Sequence, residues 1–294
     1  MAWEICVAGS VTLDDVTTPH GHRTEQQGGS AVYFALAAAA HATVHLVGVV
    51  GDDGASSARS VLDDPAIDSS GLLVRQGPTF RWKATHDFER WVTACEESRP
   101  GVYEDWQPTV PTPASAAEVL FLGSMPPRQQ LSVLGQSRAR IVGADSMAVH
   151  IGANDPPVQQ VAEASDVLFL NRSELSLLVD RPEDDWRVSA RDLCGRGRLR
   201  LVVVKAGPLG AACVSADRVL EREAHAVSAV VDPTGAGDSL AGGFLGACAR
   251  RQQHPLDMLD EALDAGLRSA AAAITAFGPD GLRRANGGGL LPAV

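Results

Sequence analysis

The sequence predicts an α/β fold: a doubly wound, mostly parallel central sheet with helices on both faces, plus a small β-sheet lid. Three observations carry the prediction. Continuous apolar runs such as Leu201-Val202-Val203-Val204 suit strands covered on both faces. These runs alternate with helical stretches along most of the 294 residues. Over 71–113 the rhythm breaks into short alternating or aromatic stretches with several prolines, where small antiparallel strands fit better than a helix.

Taken in order, the apolar runs place strands at 4–9, 43–50, 118–123, 139–145, 166–171, 200–205, 211–215 and 227–231. Helical spacing places helices at 29–41, 55–63, 128–137, 158–164, 172–179, 187–194, 238–251 and 256–276. The lid is expected from about 10–27 and 71–113, and the whole of 1–294 is expected to form one domain. Gly287-Gly288-Gly289 reads as a loose terminus.

Composition narrows the function classes. Hydrophobic residues at 45% and charged residues at 21% describe an ordinary globular chain. A net charge of −11 and a pI near 5.1 argue against nucleic-acid binding, which needs a basic footprint. An anionic ligand would therefore be held by local donors and a metal ion, not by the global field. No apolar run is long enough to cross a bilayer, and the chain enters Ile5-Cys6-Val7-Ala8 without a signal-peptide pattern. The five cysteines are scattered and odd in number, which fits free thiols in a reducing cytoplasm.

The most informative stretch is Val231-Asp232-Pro233-Thr234-Gly235-Ala236-Gly237-Asp238-Ser239, which leads from an apolar run into a helix. A helix start has unpaired N–H groups and a partial positive charge, so it attracts anions such as phosphate. Glycines at 235 and 237 let the backbone approach a ligand. An acid placed there suits one task well: taking a proton from an alcohol as that oxygen attacks a phosphoryl group. A plain helix-capping turn is the competing reading.

The longer string Asp-x-Thr-Gly-Ala-Gly-Asp-Ser, followed by Ala241-Gly242-Gly243-Phe244, resembles the C-terminal signature of the ribokinase-like (PfkB-type) carbohydrate kinases. Three further stretches match that family in order. They are Gly28-Gly29-Ser30-Ala31 with Val47-Gly48-Val49-Val50-Gly51-Asp52, then Asn171-Arg172-Ser173-Glu174, then Lys205-Ala206-Gly207-Pro208-Leu209-Gly210. The resemblance implies a ribokinase-like fold and an ATP- and Mg²⁺-dependent kinase. That kinase phosphorylates a hydroxyl of a small sugar or polyol; a nucleoside kinase or an idle metabolite-binding member are the alternatives. Signatures of other α/β enzymes, Gly-x-x-x-x-Gly-Lys-Ser/Thr, Gly-x-Gly-x-x-Gly after the first strand and Gly-x-Ser-x-Gly, are absent.

Carried onto this chain, the resemblance assigns Asp238 as general base and Gly235, Ala236 and Gly237 as the anion hole. Asp14, Gly28, Gly29 and Tyr33 would meet the acceptor, with Asp15 a rival acid beside Asp14. Tyr33 stands where ribokinase has an asparagine, which argues for a larger or more apolar acceptor. Asn171, Glu174, Lys205, Gly207, Gly210 and Gly278 would border the nucleotide, Glu174 meeting Mg²⁺ through water. Asn171 and Glu174 equally fit a capping box, and Lys205 either a phosphate contact or an exposed position. Asp232 fits a monovalent-cation (K⁺) site or a turn residue. Phe80, Trp82, Trp91 and Trp106 could stack on the acceptor or form the lid's own core. His20 and His22 lack a third ligand and read as a loop. A homodimer through the lid is a further implication.

Overall fold

The computed structural model describes residues 2–152 and 156–286, so the expected loose tail at 287–289 lies outside the described residues. In chain order the elements begin with β1 (Ile5–Ala8), β2 (Thr12–Thr18), β3 (Gly21–Gly28), α1 (Ser30–Ala39), β4 (Val44–Gly51), α2 (Ala55–Val61) and β5 (Ile67–Arg75). Then come β6 (Phe80–Asp87), β7 (Val92–Arg99), α3 (Thr112–Ala116), β8 (Val119–Leu122), α4 (Pro127–Gln136), β9 (Ile141–Asp145), α5 (Ala148–Gly152) and α6 (Pro156–Ala164). The C-terminal part has β10 (Val167–Asn171), α7 (Arg172–Val179), α8 (Trp186–Leu193), β11 (Leu201–Lys205), β12 (Ala211–Val214) and β13 (Val219–Arg222). It ends in α9 (Ala236–Arg251), α10 (Leu259–Ala273) and α11 (Asp280–Asn286).

Nine strands form the central sheet in the order β13-β12-β11-β10-β9-β8-β1-β4-β5. From β11 to β5 every neighbouring pair is parallel; β12 and β13 close one side antiparallel. Both faces are covered, which is why the strands read as continuous apolar runs. Ile5, Val7, Phe121, Phe169 and Val203 pack on one side with α1, α9 and α10. Cys6, Leu120, Leu122, Leu168, Leu170, Val202 and Val204 pack on the other with α4, α6 and α8. The chain winds from β1 through β4 to β5 one way and from β8 to β11 the other. Strand order thus reverses at β1, and a crevice at the carboxyl ends is the usual ligand position in such sheets.

Helix α9 sits unusually close to its neighbours because glycine replaces side chains at the contacts. A Cβ on Gly242 would lie 2.5 Å from Phe34 O, and one on Gly266 of α10 would lie 2.7 Å from Leu240 O. The small-residue run after Asp238 is therefore a packing surface that presses α9 between α1 and α10 and fixes its N-terminus.

A second sheet has the order β3-β2-β6-β7. Its pairs are antiparallel except β2–β6, which is parallel; β6 and β7 are the small antiparallel strands expected within 71–113. The expected lid range also shrinks: Leu72-Leu73-Val74 belongs to β5, the edge of the central sheet, paired parallel with β4. Its carboxyl end, Leu73 to Arg75, is exposed, so this stretch lacks the continuous burial of an inner strand. Asp53, just after β4, anchors the second sheet: Oδ1 accepts from Thr79 N at 2.8 Å and Oδ2 from Arg81 at 3.0 Å.

The strand expected at 227–231 is irregular. Instead of joining a ladder, Val231 N and Asp232 N both donate to Ile274 O at the end of α10, at 2.8 and 3.4 Å. Strand β13 and helix α11 were not expected, and among the described residues His20 and His22 lie at the β2–β3 turn with no metal-binding cluster nearby.

Candidate active site

Three adjacent parallel strands, β9, β10 and β11, end at Asp145, Asn171 and Lys205, and register places Asn171 beside Lys205 and Phe169 beside Asp145. Lys205 Nζ is 2.7 Å from Asp145 Oδ2, and both side chains are largely buried. Burial alone would push the lysine's proton affinity down; Asp145 and Glu174 more than offset it and hold Lys205 firmly protonated. The same ammonium is 3.3 Å from where a Cβ on Gly237 would stand. Lys205 therefore joins the strand ends to the start of α9, and of its two sequence-level readings the exposed position is excluded. Asp145 was not singled out from the sequence, although the expected strand 139–145 ends on it.

Asn171 and Glu174 make the reciprocal capping box. Glu174 N donates to Asn171 Oδ1 and Asn171 N donates to Glu174 Oε2, each at 2.8 Å. Burial raises the Glu174 pKa, Lys205 opposes the rise, and Asp145 adds to it. The capping box fixes the carboxylate within the electrostatic reach of Lys205, Asp145 and Asp238, so the capping and ligand-binding readings of this pair are compatible.

The turn before α9 is built around Gly235, at φ +74°, where a Cβ would lie 2.2 Å from Tyr33 Cγ. Only glycine fits over that ring. Tyr33 is 2% exposed, and its ring packs against Gly235 within electrostatic reach of Asp14 and Asp238. Ala236 N donates to Pro233 O at 3.2 Å, which removes one of the three amides assigned to the anion hole. Among the described residues the N–H groups of Gly235 and Gly237 have no acceptor.

Asp238 lies in the first turn of α9, and burial, reinforced by Asp145, pushes its carboxyl up to about 7. Facing it from the second sheet, Asp14 is 3% exposed and also pushed up to about 7, by burial first and then by Asp232, Asp15 and Asp238. Its Oδ1 and the Thr12 hydroxyl are buried and, among the described residues, have no hydrogen-bond partner. Asp15 turns elsewhere and accepts from Glu25 N at 2.8 Å. A Cβ on Gly28 would lie 1.9 Å from Asp14 Oδ2, so this glycine clears space for the carboxylate. Gly29, at φ +101°, clears Ser10 O instead. Both glycines thus make room for the protein itself, where the sequence suggested room for the acceptor.

Asp232 is buried, with Oδ1 accepting from Thr234 N at 2.9 Å and Oδ2 from Gly278 N at 3.2 Å. Gly278 therefore braces this loop through its N–H. Gly207 has φ +55° and open space where its Cβ would be, whereas a Cβ on Gly210 would lie 2.1 Å from Arg222 O. Of the two, only Gly207 leaves its side open to a ligand.

The four lid aromatics separate clearly. Trp106 is buried beside Tyr103, Phe80 stacks on Tyr103, and Trp91 stacks on Phe88 and is half-exposed. Trp82 differs. It pairs with Asp14 across the parallel β2–β6 ladder, so both side chains lie on one face of the second sheet. His86, four residues along β6, lies on that face too and reaches Thr234 at 2.9 Å. The face carrying Asp14 and Trp82 is thus turned toward the start of α9.

Among the described residues no three His, Cys, Asp or Glu side chains close on a metal position. Asp145, Glu174 and Asp238 around one lysine nonetheless leave surplus negative charge with hard oxygen donors, which fits Mg²⁺ met through its water shell. No helix among the described residues is long and apolar enough to cross a membrane.

Strand ends of a doubly wound sheet thus converge on a helix start with two N–H groups that lack acceptors and a raised-pKa acid, an arrangement suited to phosphoryl transfer. The pfkB family carbohydrate kinase profile matches residues 5–283, and the chain belongs to that family, whose members are ATP-dependent kinases. A cytidine kinase of Thermococcus kodakarensis is 28% identical over 285 residues, covering 94% of this chain and 97% of that one. Among solved structures, a Burkholderia thailandensis nucleoside kinase in complex with inosine superposes with a TM-score of 0.73 at 18% identity, covering 94% and 92% of the two chains. A ribokinase from Cryptococcus neoformans var. grubii in complex with ADP gives 0.75 at 20% identity, covering 98% and 100%. At these identities the structures establish the shared fold.

Proposed function

We propose that this kinase transfers the γ-phosphoryl group of ATP to a hydroxyl of a nucleoside, with Asp238 as general base. The observation that carries the acceptor class is Trp82, a flat half-buried side chain on the same face as Asp14. An indole gives a nucleobase a stacking surface, whereas a free sugar has no π-face to match it. The 28% identity to a cytidine kinase supports the same choice over the sugar or polyol acceptor.

In this reading Asp14 Oδ1 and the Thr12 hydroxyl accept and donate hydrogen bonds to ribose hydroxyls, which satisfies groups otherwise buried without partners. Asp238, titrating near neutrality, removes the proton of the attacking hydroxyl. The N–H groups of Gly235 and Gly237, with Lys205 beside them, stabilise charge on the transferred group. Glu174 and Asp145 would hold Mg²⁺ through water, and the ion would supply charge neutralisation at the phosphates. Gly207 borders the nucleotide. The sheet of β2, β3, β6 and β7 serves as a lid that excludes water from the transfer, within one ribokinase-like unit. Strand β7, exposed along its whole length, offers the free edge for a lid-to-lid homodimer.

Asp232 braces the loop by accepting one N–H on each oxygen, which leaves a lone pair on each for a monovalent cation, so exchanging K⁺ for Na⁺ is expected to change turnover if the ion binds there. The acceptor class is tested by measuring ADP release with Mg-ATP and a panel of cytidine, uridine, inosine, adenosine, free ribose and hexoses. A nucleoside is expected to exceed free ribose by about tenfold or more in kcat/KM. A preference for a free sugar would refute the nucleoside reading and restore the sugar acceptor.

A further inference from the structure

We propose that His86 is a positioning residue that fastens the lid sheet to the phosphoryl-transfer turn, so that the chemical step depends on the lid being seated. The inference rests on reading residues 235–238 as the transfer site. His86 lies on β6, 6% exposed, and both of its ring nitrogens are engaged. Nδ1 is 2.8 Å from Thr93 Oγ1 on β7, and Nε2 is 2.9 Å from Thr234 Oγ1, 148 residues away in sequence.

The chemistry of the ring sets the direction of these bonds. Burial lowers its proton affinity, so the imidazole is neutral and carries a single N–H. Asp232 Oδ1 stands 3.8 Å from Nε2, and its negative charge favours the tautomer with the proton there. Nε2–H then donates to Thr234, while the Thr93 hydroxyl donates to Nδ1. Thr234 is the residue before Gly235, the N-cap of α9, and its own N–H is held by Asp232. One continuous set of bonds therefore runs from the lid's outer strand through His86 to the turn that carries Gly235, Gly237 and Asp238. Removing a hydroxyl leaves a nitrogen of the buried His86 unpaired, and removing the imidazole cuts the link and leaves the turn free to shift. Shifts of that kind affect the transfer step more than the binding of either substrate.

The test compares His86→Leu, His86→Gln and His86→Asn with Thr234→Val and the His86→Leu/Thr234→Val double variant. Each is assayed as full-length enzyme with Mg-ATP and the acceptor that the wild-type enzyme turns over, alongside melting temperature. His86→Leu is expected to lower kcat by about tenfold to a hundredfold, with KM for ATP within about twofold of wild type. Gln reaches as far as Nε2 and should restore most of the loss, whereas Asn reaches only as far as Nδ1 and should not. The double variant should be no worse than either single variant. A His86→Leu enzyme with wild-type kcat would overturn the proposal. So would equal impairment of the Gln and Asn variants in step with lowered melting temperature, since that marks a purely structural role. Loss of activity in Asp238→Asn alongside normal His86 variants would defeat the fastening role and leave the base assignment standing.

Discussion

Replacing Asp238 by asparagine should make the protein more stable and nearly inactive at once. The carboxyl is pushed from 3.8 to about 7 by burial and by Asp145, so the folded state holds its proton more tightly than the unfolded chain. Stability of the wild type therefore falls as pH rises from about 4 to about 7, and the full penalty is present above 7. A rise of about three pKa units corresponds to a ceiling of about 4 kcal/mol at pH 8. Asp238 retains some solvent contact, and screening reduces the figure to about 1–3 kcal/mol. For a chain of this size that is an increase in Tm of about 2–6 °C. The gain should fade as pH falls from 7 toward 4, where the wild-type side chain is protonated in both states. Loss of the base should lower kcat by about 10²–10⁴-fold. Calorimetry at several pH values, with ADP release on the same samples, checks both halves. An Asn variant that is less stable at pH 8, or gains as much at pH 4 as at pH 8, would refute the burial argument.

Two further substitutions probe the rest of the site. Trp82→Ala should raise KM for a nucleoside by about tenfold, since stacking contributes about 1–3 kcal/mol, while KM for ATP stays unchanged in steady-state assays. Lys205→Met leaves Asp145 buried without its partner and should cost about 3–5 kcal/mol, visible as a clear fall in Tm. Restoring Asp145 to a neutral residue in the Lys205→Met/Asp145→Asn variant should recover much of that stability without recovering turnover.

The parts of this site that the sequence made legible are those whose chemistry is contiguous. Gly235, Gly237 and Asp238 lie within four residues, and their local geometry is dictated by a helix start. Asn171 and Glu174 are equally local, and Lys205 was visible as a cation ending an apolar strand. The parts that stayed hidden depend on partners far away in the chain. Asp145 is one acid at a strand end until β11 brings Lys205 beside it, 60 residues on. His86 has no local signal at all. The packing of the Tyr33 ring against Gly235 is equally hidden, since the two residues are about 200 apart in the chain. In the same way Gly29 and Gly210 turned out to answer backbone crowding at Ser10 and Arg222, which no single-sequence pattern encodes.

The fold was legible for the same reason and failed in the same way. Buried parallel strands announce themselves by continuous apolar runs, so β8 to β11 fell where expected. Strand β5 lies at the sheet edge with an exposed carboxyl end and so reads like part of a smaller sheet, and 227–231 has the apolar content of a strand without a neighbour to pair with. Its N–H groups go to Ile274 O because the segment must deliver Asp232 and Gly235 to the strand ends.

The pH dependence of kcat/KM for the acceptor, at saturating Mg-ATP, bears most directly on proton removal by Asp238. The profile should climb about tenfold per unit below an apparent pKa near 7 and level off above it, with that value belonging jointly to the coupled carboxyls Asp238 and Asp14. A profile flat from pH 5 to about pH 8 would mean that no group of this kind has to lose its proton before the alcohol attacks.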